Sequence, residues 1–168
     1  MVKRTILAVL CLSVFLMCFS ETAHSFEAMY ECYEQLLQEF PNVEAIKKRF
    51  ENTAEWHVET VPSPHDADLK LRIDSMVNPG IEISTLGYTL EGEDYYFLIL
   101  MDVKESGFVK FGGIDLGSAS EDVIEAFGPP QQVDGNELLY YDESEYMVIK
   151  FILEEEIVVG MVLNNYLD

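Results

Sequence analysis

Residues 112–130 read GGIDLGSASEDVIEAFGPP and contain one short helix with clear start and stop signals. Ser118 and Glu121 have the spacing of a capping box, in which the hydroxyl and the carboxylate each accept a hydrogen bond from the other residue's backbone N–H. Gly128–Pro130 ends the helix, because glycine suits a left-handed residue and proline cannot continue the hydrogen bonding. We therefore predict a helix over residues 119–127.

The predicted helix is amphipathic. Ala119, Val123 and Phe127 recur every four residues, and Ile124 and Ala126 widen the same apolar face. We expect this face to lie against the core.

The same stretch carries a resemblance, which continues through Leu139-Tyr140-Tyr141 and Phe151. The positions of its structural motif are Gly117, Ser118, Glu121, Val123, Phe127, Gly128 and Pro130. Over residues 112–163 this pattern resembles the helix-then-hairpin unit of small bacterial envelope proteins with the β-lactamase-inhibitor-protein-like fold, including the SmpA/OmlA (BamE-like) lipoproteins. The resemblance implies a short helix on a small antiparallel sheet, and it indicates fold more than function.

The first 25 residues have the pattern of a secretory signal. Lys3 and Arg4 precede an apolar run over residues 5–19, and Ala23-His24-Ser25 is a small-residue cleavage site. We predict cleavage after Ser25; the alternative is a retained N-terminal anchor. Cys18 follows Leu16-Met17 rather than a small residue, so the chain departs from the BamE-like lipoproteins and has no convincing lipobox.

Cleavage would leave residues 26–168, the length of a single domain. Cys32 would be the remaining cysteine and so could form no internal disulfide. We expect Cys32 to be a half-buried helix residue; a reactive thiol is the alternative.

Acidic residues dominate the composition. The net charge is −21 for the whole chain, and 8 basic against 30 acidic residues give −22 after cleavage. Such a surface repels nucleic acid and anionic membranes. It attracts a basic partner, or it simply keeps the protein in solution.

Two helices are predicted before the sheet. Apolar residues at 26, 29, 33, 36, 37 and 40 predict a helix over Phe26–Phe40 that ends at Pro41. Asn42 can cap a second helix over residues 43–51, with Lys47–Arg49 on a solvated face.

Residues 55–68 are predicted to form a loop, because Pro62 and Pro64 disfavour regular structure. Trp56 is expected to fill a gap in the core. From Leu69 to Val77 alternating apolar residues predict a half-exposed strand with Leu69, Leu71 and Ile73 inward and Asp74 outward.

Five more strands follow. They are predicted over Ile81–Leu90 with a bulge at Gly87, Tyr95–Val103 buried on both faces, Leu138–Tyr141, Tyr146–Leu153 and Ile157–Leu163, with a frayed tail from Asn164. The fold class is α+β, with short helices packed on one face of an antiparallel sheet. Two readings stay open: one continuous domain, or two tandem units of a helix and three strands over residues 42–111 and 112–163.

We predict no catalytic residue, no metal site and no cofactor. His57 and His65 lack metal-ligand spacing, and the chain contains no serine-hydrolase elbow, phosphate-binding loop or dinucleotide fingerprint. Nothing orients Cys32 towards His57 as a nucleophile pair.

The candidate binding residues follow the helix predicted over residues 119–127. They are Tyr140, Tyr141, Asp142, Glu143, Glu145 and Tyr146. Together with Glu154–Glu156 the acids are expected to cluster at one end of a hairpin pair. They are either solvated turns that resist aggregation, a recognition rim for a basic protein, a weak calcium site, or a carboxylate pair for hydrolysis.

We therefore predict a secreted or periplasmic, non-enzymatic protein-binding module, with a basic protein as its partner. It would not bind nucleic acid, and it would keep no stable membrane anchor. An inhibitor of a basic extracytoplasmic enzyme fits the charge, and an envelope assembly factor fits the helix-hairpin motif. The alternatives are a small-ligand binder, or an enzyme with an unrecognised carboxylate site.

Overall fold

The computed structural model describes residues 24–50, 54–66, 68–142 and 146–166. The helices are α1 over residues 24–39, α2 over Val43–Arg49 and α3 over Ser120–Phe127. The strands are β1 Glu55–Pro62, β2 Lys70–Asn78, β3 Ile81–Leu90, β4 Glu93–Val103, β5 Gln132–Asp134, β6 Glu137–Tyr141, β7 Met147–Glu154 and β8 Ile157–Asn165. The fold class is therefore α+β, as predicted.

All eight strands form one antiparallel sheet in the order β1-β2-β3-β4-β8-β7-β6-β5. Strands β1–β4 and β5–β8 are two meanders in which each strand pairs with the next. The meanders join through their last strands, where residues 100–103 of β4 pair with 161–164 of β8. Each meander has four strands rather than the predicted three, because β1 and the short β5 were both missed.

One row of side chains crosses seven strands on a single face of the sheet. In register these residues are Trp56, Met76, Ile83, Met101, Leu163, Ile149 and Tyr140. Six of them are buried, and Trp56 packs against the core at the edge of the row. Side chains of one face alternate along each strand, so this row identifies the core face throughout the sheet.

Three contacts link the helices to residues of the strands. In α1, the Tyr33 hydroxyl donates to the carbonyl oxygen of Leu98 on β4 at 3.4 Å. In α2, the Lys47 ammonium lies 5.6 Å from the centre of the Trp56 ring. The ring of Phe127 in α3 lies 5.3 Å from the Tyr140 ring, centre to centre. Buried residues of helices and strands form one hydrophobic cluster.

The two N-terminal helices agree with the sequence. In α1, Met29, Cys32 and Leu36 are buried, and Phe40 is buried just beyond its end. The Asn42 side chain caps α2 by accepting from the backbone N–H of Ala45 at 2.9 Å.

Helix α3 forms where it was predicted, but its cap is shifted by one residue. The backbone N–H of Ala119 donates to the Asp122 carboxylate at 3.0 Å, while the Ser118 hydroxyl accepts from the backbone N–H of Asp115. The predicted Ser118–Glu121 capping box is therefore wrong. Ser118 instead closes the preceding turn. Ile124, assigned to the buried face, is 44% exposed.

Gly128 ends α3 with a positive φ, a conformation that favours glycine, as predicted. Its dihedrals are φ 76° and ψ −172°. Its N–H donates to the carbonyl oxygen of Ile124, and its own carbonyl oxygen accepts from the buried Tyr140 hydroxyl at 3.0 Å.

The predicted loop over residues 55–68 is wrong for most of its length, because Glu55–Pro62 is strand β1. This strand lies at the edge of the sheet, so it pairs with β2 alone. Pro62 is its last residue, a position where a missing N–H is tolerated. Most of its side chains are exposed, so it lacks the apolar alternation of a central strand.

The predicted faces of β2 are also wrong. Asp74 and Met76 are buried on the core face, whereas Val77 is 52% exposed. Leu71, Ile73 and Ser75 lie half-buried on the opposite face.

The remaining differences are local. The bulge between β3 and β4 lies at Ser84/Thr85, where Ile99 is the extra residue, rather than at Gly87. Strand β4 is only half-buried at many positions. The tail is ordered as strand through Asn165 rather than frayed from Asn164.

Candidate functional site

The structure separates the six predicted binding residues. Tyr140 is fully buried and belongs to the core, so it is wrong as a surface contact. Tyr141 is half-buried on the opposite face of β6, and Tyr146 is 44% exposed. The Asp142 carboxylate accepts from the backbone N–H of Met147 at 3.2 Å. Glu143 and Glu145 lie outside the described residues.

The two acidic turns do not cluster, contrary to prediction. Asp142 precedes β7 and Glu154–Glu156 starts at its last residue, so the turns lie at opposite ends of one eight-residue strand, about 24 Å apart. Glu156 also has a structural role, because its carboxylate accepts from the Ser120 hydroxyl at 2.6 Å and its carbonyl from the Ser120 N–H.

A different group of aromatic residues lies on the face opposite the core face. The Tyr88 and Tyr95 rings stack at 4.9 Å between centres, and the Tyr88 and Phe97 rings at 6.0 Å. We call these three residues the aromatic ladder. None of these three residues was among the predicted binding residues.

A groove of about 320 Å³ lies beside the aromatic ladder on the same face. We call it the open-face groove, and it is lined by Ser63, Pro64, His65, Asp66, Leu69, Leu71, Leu86, Tyr88 and Phe97. Leucines and aromatic rings from β2, β3 and β4 form its floor, and the loop after β1 forms its wall.

The groove lies at a strongly acidic end of the sheet. The loop between β1 and β2 and the turn between β3 and β4 meet at this end because the strands are antiparallel. The acids there are Asp66, Asp68, Glu91, Glu93 and Asp94, which we call the acidic end. Lys70 is the one lysine or arginine at this end, counted over residues 62–66, 68–70 and 88–95, whereas the acids number five.

A second pocket, of about 390 Å³, lies on the core face of the same strands, beside the start of α2. Its floor is a register row of Thr60, Arg72, Gly87 and Tyr96 on four neighbouring strands. We call it the Gly87 pocket. Its other lining residues are Asn42, Val43, Glu44, Lys70, Asp74, Tyr88, Thr89, Asp94 and Tyr95.

Asp74 holds the Arg72 side chain in place in the Gly87 pocket. Its side chain is 2% exposed, and it binds the Arg72 guanidinium through two contacts, Nε at 2.7 Å and one terminal nitrogen at 2.8 Å. The Lys47 ammonium lies 4.0 Å away. The hydrogen bond from Arg72 to Asp74 raises the pKa of Arg72, so the guanidinium stays protonated. Asp74 is the one buried Asp or Glu among the described residues, so no buried carboxylate pair occurs there.

Tyr96 carries a hydroxyl group that is buried without a hydrogen-bond partner in the described ranges. Burial raises its pKa above the ordinary value, and the proximity of Tyr33 and of Asp74 adds to the effect. Leaving a buried hydroxyl unpaired costs about 1–3 kcal/mol.

The other reactive residues form no site. Cys32 is fully buried rather than half-buried as predicted, and burial raises the pKa of its thiol to about 12, which disfavours the alternative of a reactive thiol. His57 is exposed on β1 and His65 lies in the loop beyond it. In the described part of the chain, no group of three or more His, Cys, Asp or Glu residues is placed to hold a metal ion. No helix there has the length and apolarity needed to cross a membrane.

Comparison of the chain with models of protein families, with curated proteins and with solved structures finds no match. The resemblance to β-lactamase-inhibitor-protein-like and BamE-like proteins therefore stays a prediction.

Proposed function

We propose that this protein is a secreted or periplasmic, non-enzymatic binding module that docks a basic protein on the face of its sheet opposite the core. The open-face groove and the aromatic ladder would supply the apolar contact. The acidic end would supply the charge complementarity.

We infer that the helices cover one face of the sheet and leave the other to solvent. The supporting observation is that the contacts described above, from Tyr33, Lys47 and Phe127, all reach the core face. Tyr95, on the opposite face, is 38% exposed. An uncovered sheet face with aromatic and aliphatic side chains is typical of an interaction surface.

The main support for the proposal is that the apolar groove lies beside five carboxylates at one end of the sheet. Aromatic residues in a partly closed groove are the residues that dominate binding energy at protein interfaces. Carboxylates around them raise the association rate of a basic partner and disfavour acidic ones. The net charge of −21 works in the same direction over a longer range.

Signal cleavage is part of this proposal. The predicted cleavage bond follows Ser25, which lies in α1, and residues 1–23 lie outside the described residues. The buried Ser25 hydroxyl donates to the carbonyl oxygen of Pro129 at 3.0 Å. Cleavage after Ser25 would remove this contact between α1 and the end of α3.

The proposal is tested by a pull-down from bacterial envelope extract at low and at high salt. The baits are the parent protein, Tyr95→Ala in the aromatic ladder, Tyr146→Ala at the earlier predicted rim, and Val133→Ala as a control at a position 61% exposed on β5. We expect a basic partner that binds the parent at low salt, binds less at high salt and is lost with Tyr95→Ala alone.

Two results would count against the proposal. Absence of a specific partner at either salt concentration would remove the binding function itself. Loss of the partner with Tyr146→Ala but not with Tyr95→Ala would move the interface to the β6–β7 turn. A basic enzyme among the captured proteins favours the inhibitor, and an outer-membrane assembly component favours the assembly factor.

A further inference from the structure

We propose that the Gly87 pocket binds a small organic carboxylate, with Arg72 as the residue that recognises the carboxylate group. This site lies on the core face, on the other side of the sheet from the open-face groove, and its function does not depend on a protein partner.

The pocket exists because residue 87 has no side chain. A Cβ built on Gly87 would meet one neighbour, the carbonyl oxygen of Tyr95, at the ordinary contact distance of 3.4 Å. The backbone of Gly87 is also not in the left-handed region. Neither conformation nor crowding therefore requires glycine, which on its own weakens a strand. A protein with a larger residue at position 87 would still fold, and the added side chain would fill the floor of the pocket.

The hydrogen-bond donors of the pocket are only partly used. Asp74 occupies Nε and one terminal nitrogen of Arg72, so the other terminal nitrogen keeps both its N–H donors. The Arg72 side chain is 55% exposed and can meet a ligand without moving Asp74. Lys70 is exposed, and no ion pair of Lys70 is formed with the described residues.

The hydrogen-bond acceptors of the pocket, by contrast, have partners. Asp74 is bound by Arg72, and Glu44 accepts from Lys47 at 3.1 Å. Asp94 accepts from the Thr89 hydroxyl at 2.6 Å. Arg72 and Lys70 therefore offer free charged donors to a ligand that accepts hydrogen bonds.

A carboxylate fits this capacity better than a neutral acceptor. A planar guanidinium binds carboxylates with charge-assisted hydrogen bonds, which are about twice as strong as neutral ones. Lys70 lines the pocket and Lys47 lies behind Asp74, so three of the eight basic residues in the chain after residue 25 meet here. Glu44, Asp74 and Asp94 line the same pocket, so its acidic and basic side chains balance in a protein whose net charge is −21.

The rest of the ligand is expected to be small and partly apolar. The half-buried Tyr96 lies next to Gly87 in the register row and offers a ring surface beside it. A volume of about 390 Å³ is at the lower end of the range for small-molecule sites, about 300–1,000 Å³. An extended peptide would exceed this volume.

The test is an NMR titration of the full mature chain with benzoate and with glutarate, each compared with its uncharged amide at the same ionic strength. We expect at least one carboxylate to shift the Arg72 Nε–H and Gly87 N–H signals saturably, and neither amide to do so. Saturable binding of an amide equal to that of its acid, or absence of a saturable shift with both acids, would overturn the proposal.

Two variants make the test specific. Gly87→Val should keep the folded spectrum and lose at least tenfold in affinity, because its side chain occupies the ligand's place. Arg72→Lys keeps the charge but loses the planar group, so we also expect at least a tenfold loss. Leu90→Val, at a position 46% exposed near the end of the same strand, is the matched control and should bind normally. A folded Gly87→Val variant that binds with parental affinity would refute the site.

Discussion

Replacement of Gly128 by alanine tests how far one backbone conformation supports this fold. With φ 76° and ψ −172°, Gly128 lies in a region occupied almost only by glycine. Holding another residue there costs about 1–3 kcal/mol. We expect Gly128→Ala to lower the free energy of unfolding by this amount, and Gly128→Val by at least as much because its branched side chain is stiffer.

Local relaxation would not rescue the variant. The Gly128 carbonyl accepts from the buried Tyr140 hydroxyl at 3.0 Å, and its N–H donates to Ile124 at 2.9 Å. If the backbone moved to a relaxed φ, at least one of these bonds would be lost, and each contributes about 1 kcal/mol. Strain and relaxation therefore lead to losses of similar size.

The measurement is urea-induced unfolding at pH 7, followed by the fluorescence of Trp56, the one tryptophan of the chain. Gly87→Ala is the matched control, because that position is neither left-handed nor crowded. The control should be neutral or stabilising by about 0.4–1 kcal/mol. The prediction is wrong if the free energy of unfolding of Gly128→Ala lies within about 0.5 kcal/mol of the parent, which is the usual range for neutral substitutions. It is also wrong if Gly128→Ala and Gly87→Ala destabilise equally.

Three further predictions concern buried polar groups. Tyr96→Phe should leave stability unchanged or raise it, since the hydroxyl has no described partner, whereas Tyr140→Phe should cost about 1 kcal/mol in the same urea assay. Burial raises the pKa values of Cys32, Tyr96 and Tyr140, so these groups stay protonated to higher pH in the folded state than in the unfolded state. The urea midpoint of the parent should therefore be constant below about pH 9 and fall above it. In Tyr96→Phe, which lacks one of these groups, the midpoint should fall less steeply. Arg72→Met should destabilise more than Asp74→Asn by thermal melting, because the first leaves a buried carboxylate poorly paired and the second leaves an exposed guanidinium, and equal losses would contradict this.

Local signals in the sequence predicted most of the elements. Pro41 ends the first helical run, Asn42 caps the next helix, and Gly128 stops α3, because each of these residues acts within one turn of its own position. The strand over Ile81–Leu90 was predicted with its observed bounds, since turns flank an apolar run on both sides.

Features that depend on neighbouring strands were missed. Strand β1 is exposed along most of its length and pairs on one side only, so its sequence resembles that of a loop. The face of Asp74 was misjudged because an acid buried beside Arg72 looks, in sequence, like a solvated one. The capping box failed because the Ser118 hydroxyl closes the preceding turn, so the helix starts one residue later and Asp122 rather than Glu121 accepts from the cap residue Ala119.

The candidate sites needed the register of the sheet. Counting back from the Glu91-Gly92 turn would have paired Tyr88 with Tyr95 and so revealed half of the aromatic ladder. The open-face groove also needs the loop wall, and the Gly87 pocket needs the start of α2 beside the strands. Neither wall is encoded in a local pattern.

The junction of the two meanders has a consequence for how the chain reaches its native state. Most strand pairs form between neighbours in sequence, which closes short loops and is fast. The exception is the pairing of residues 100–103 with 161–164, which closes a loop of about 60 residues at a greater entropic cost. We expect each meander to condense first and this seam to close last. Until then the edge of β4 is an unpaired template, which makes the nascent protein most prone to aggregation before residues 161–164 are available.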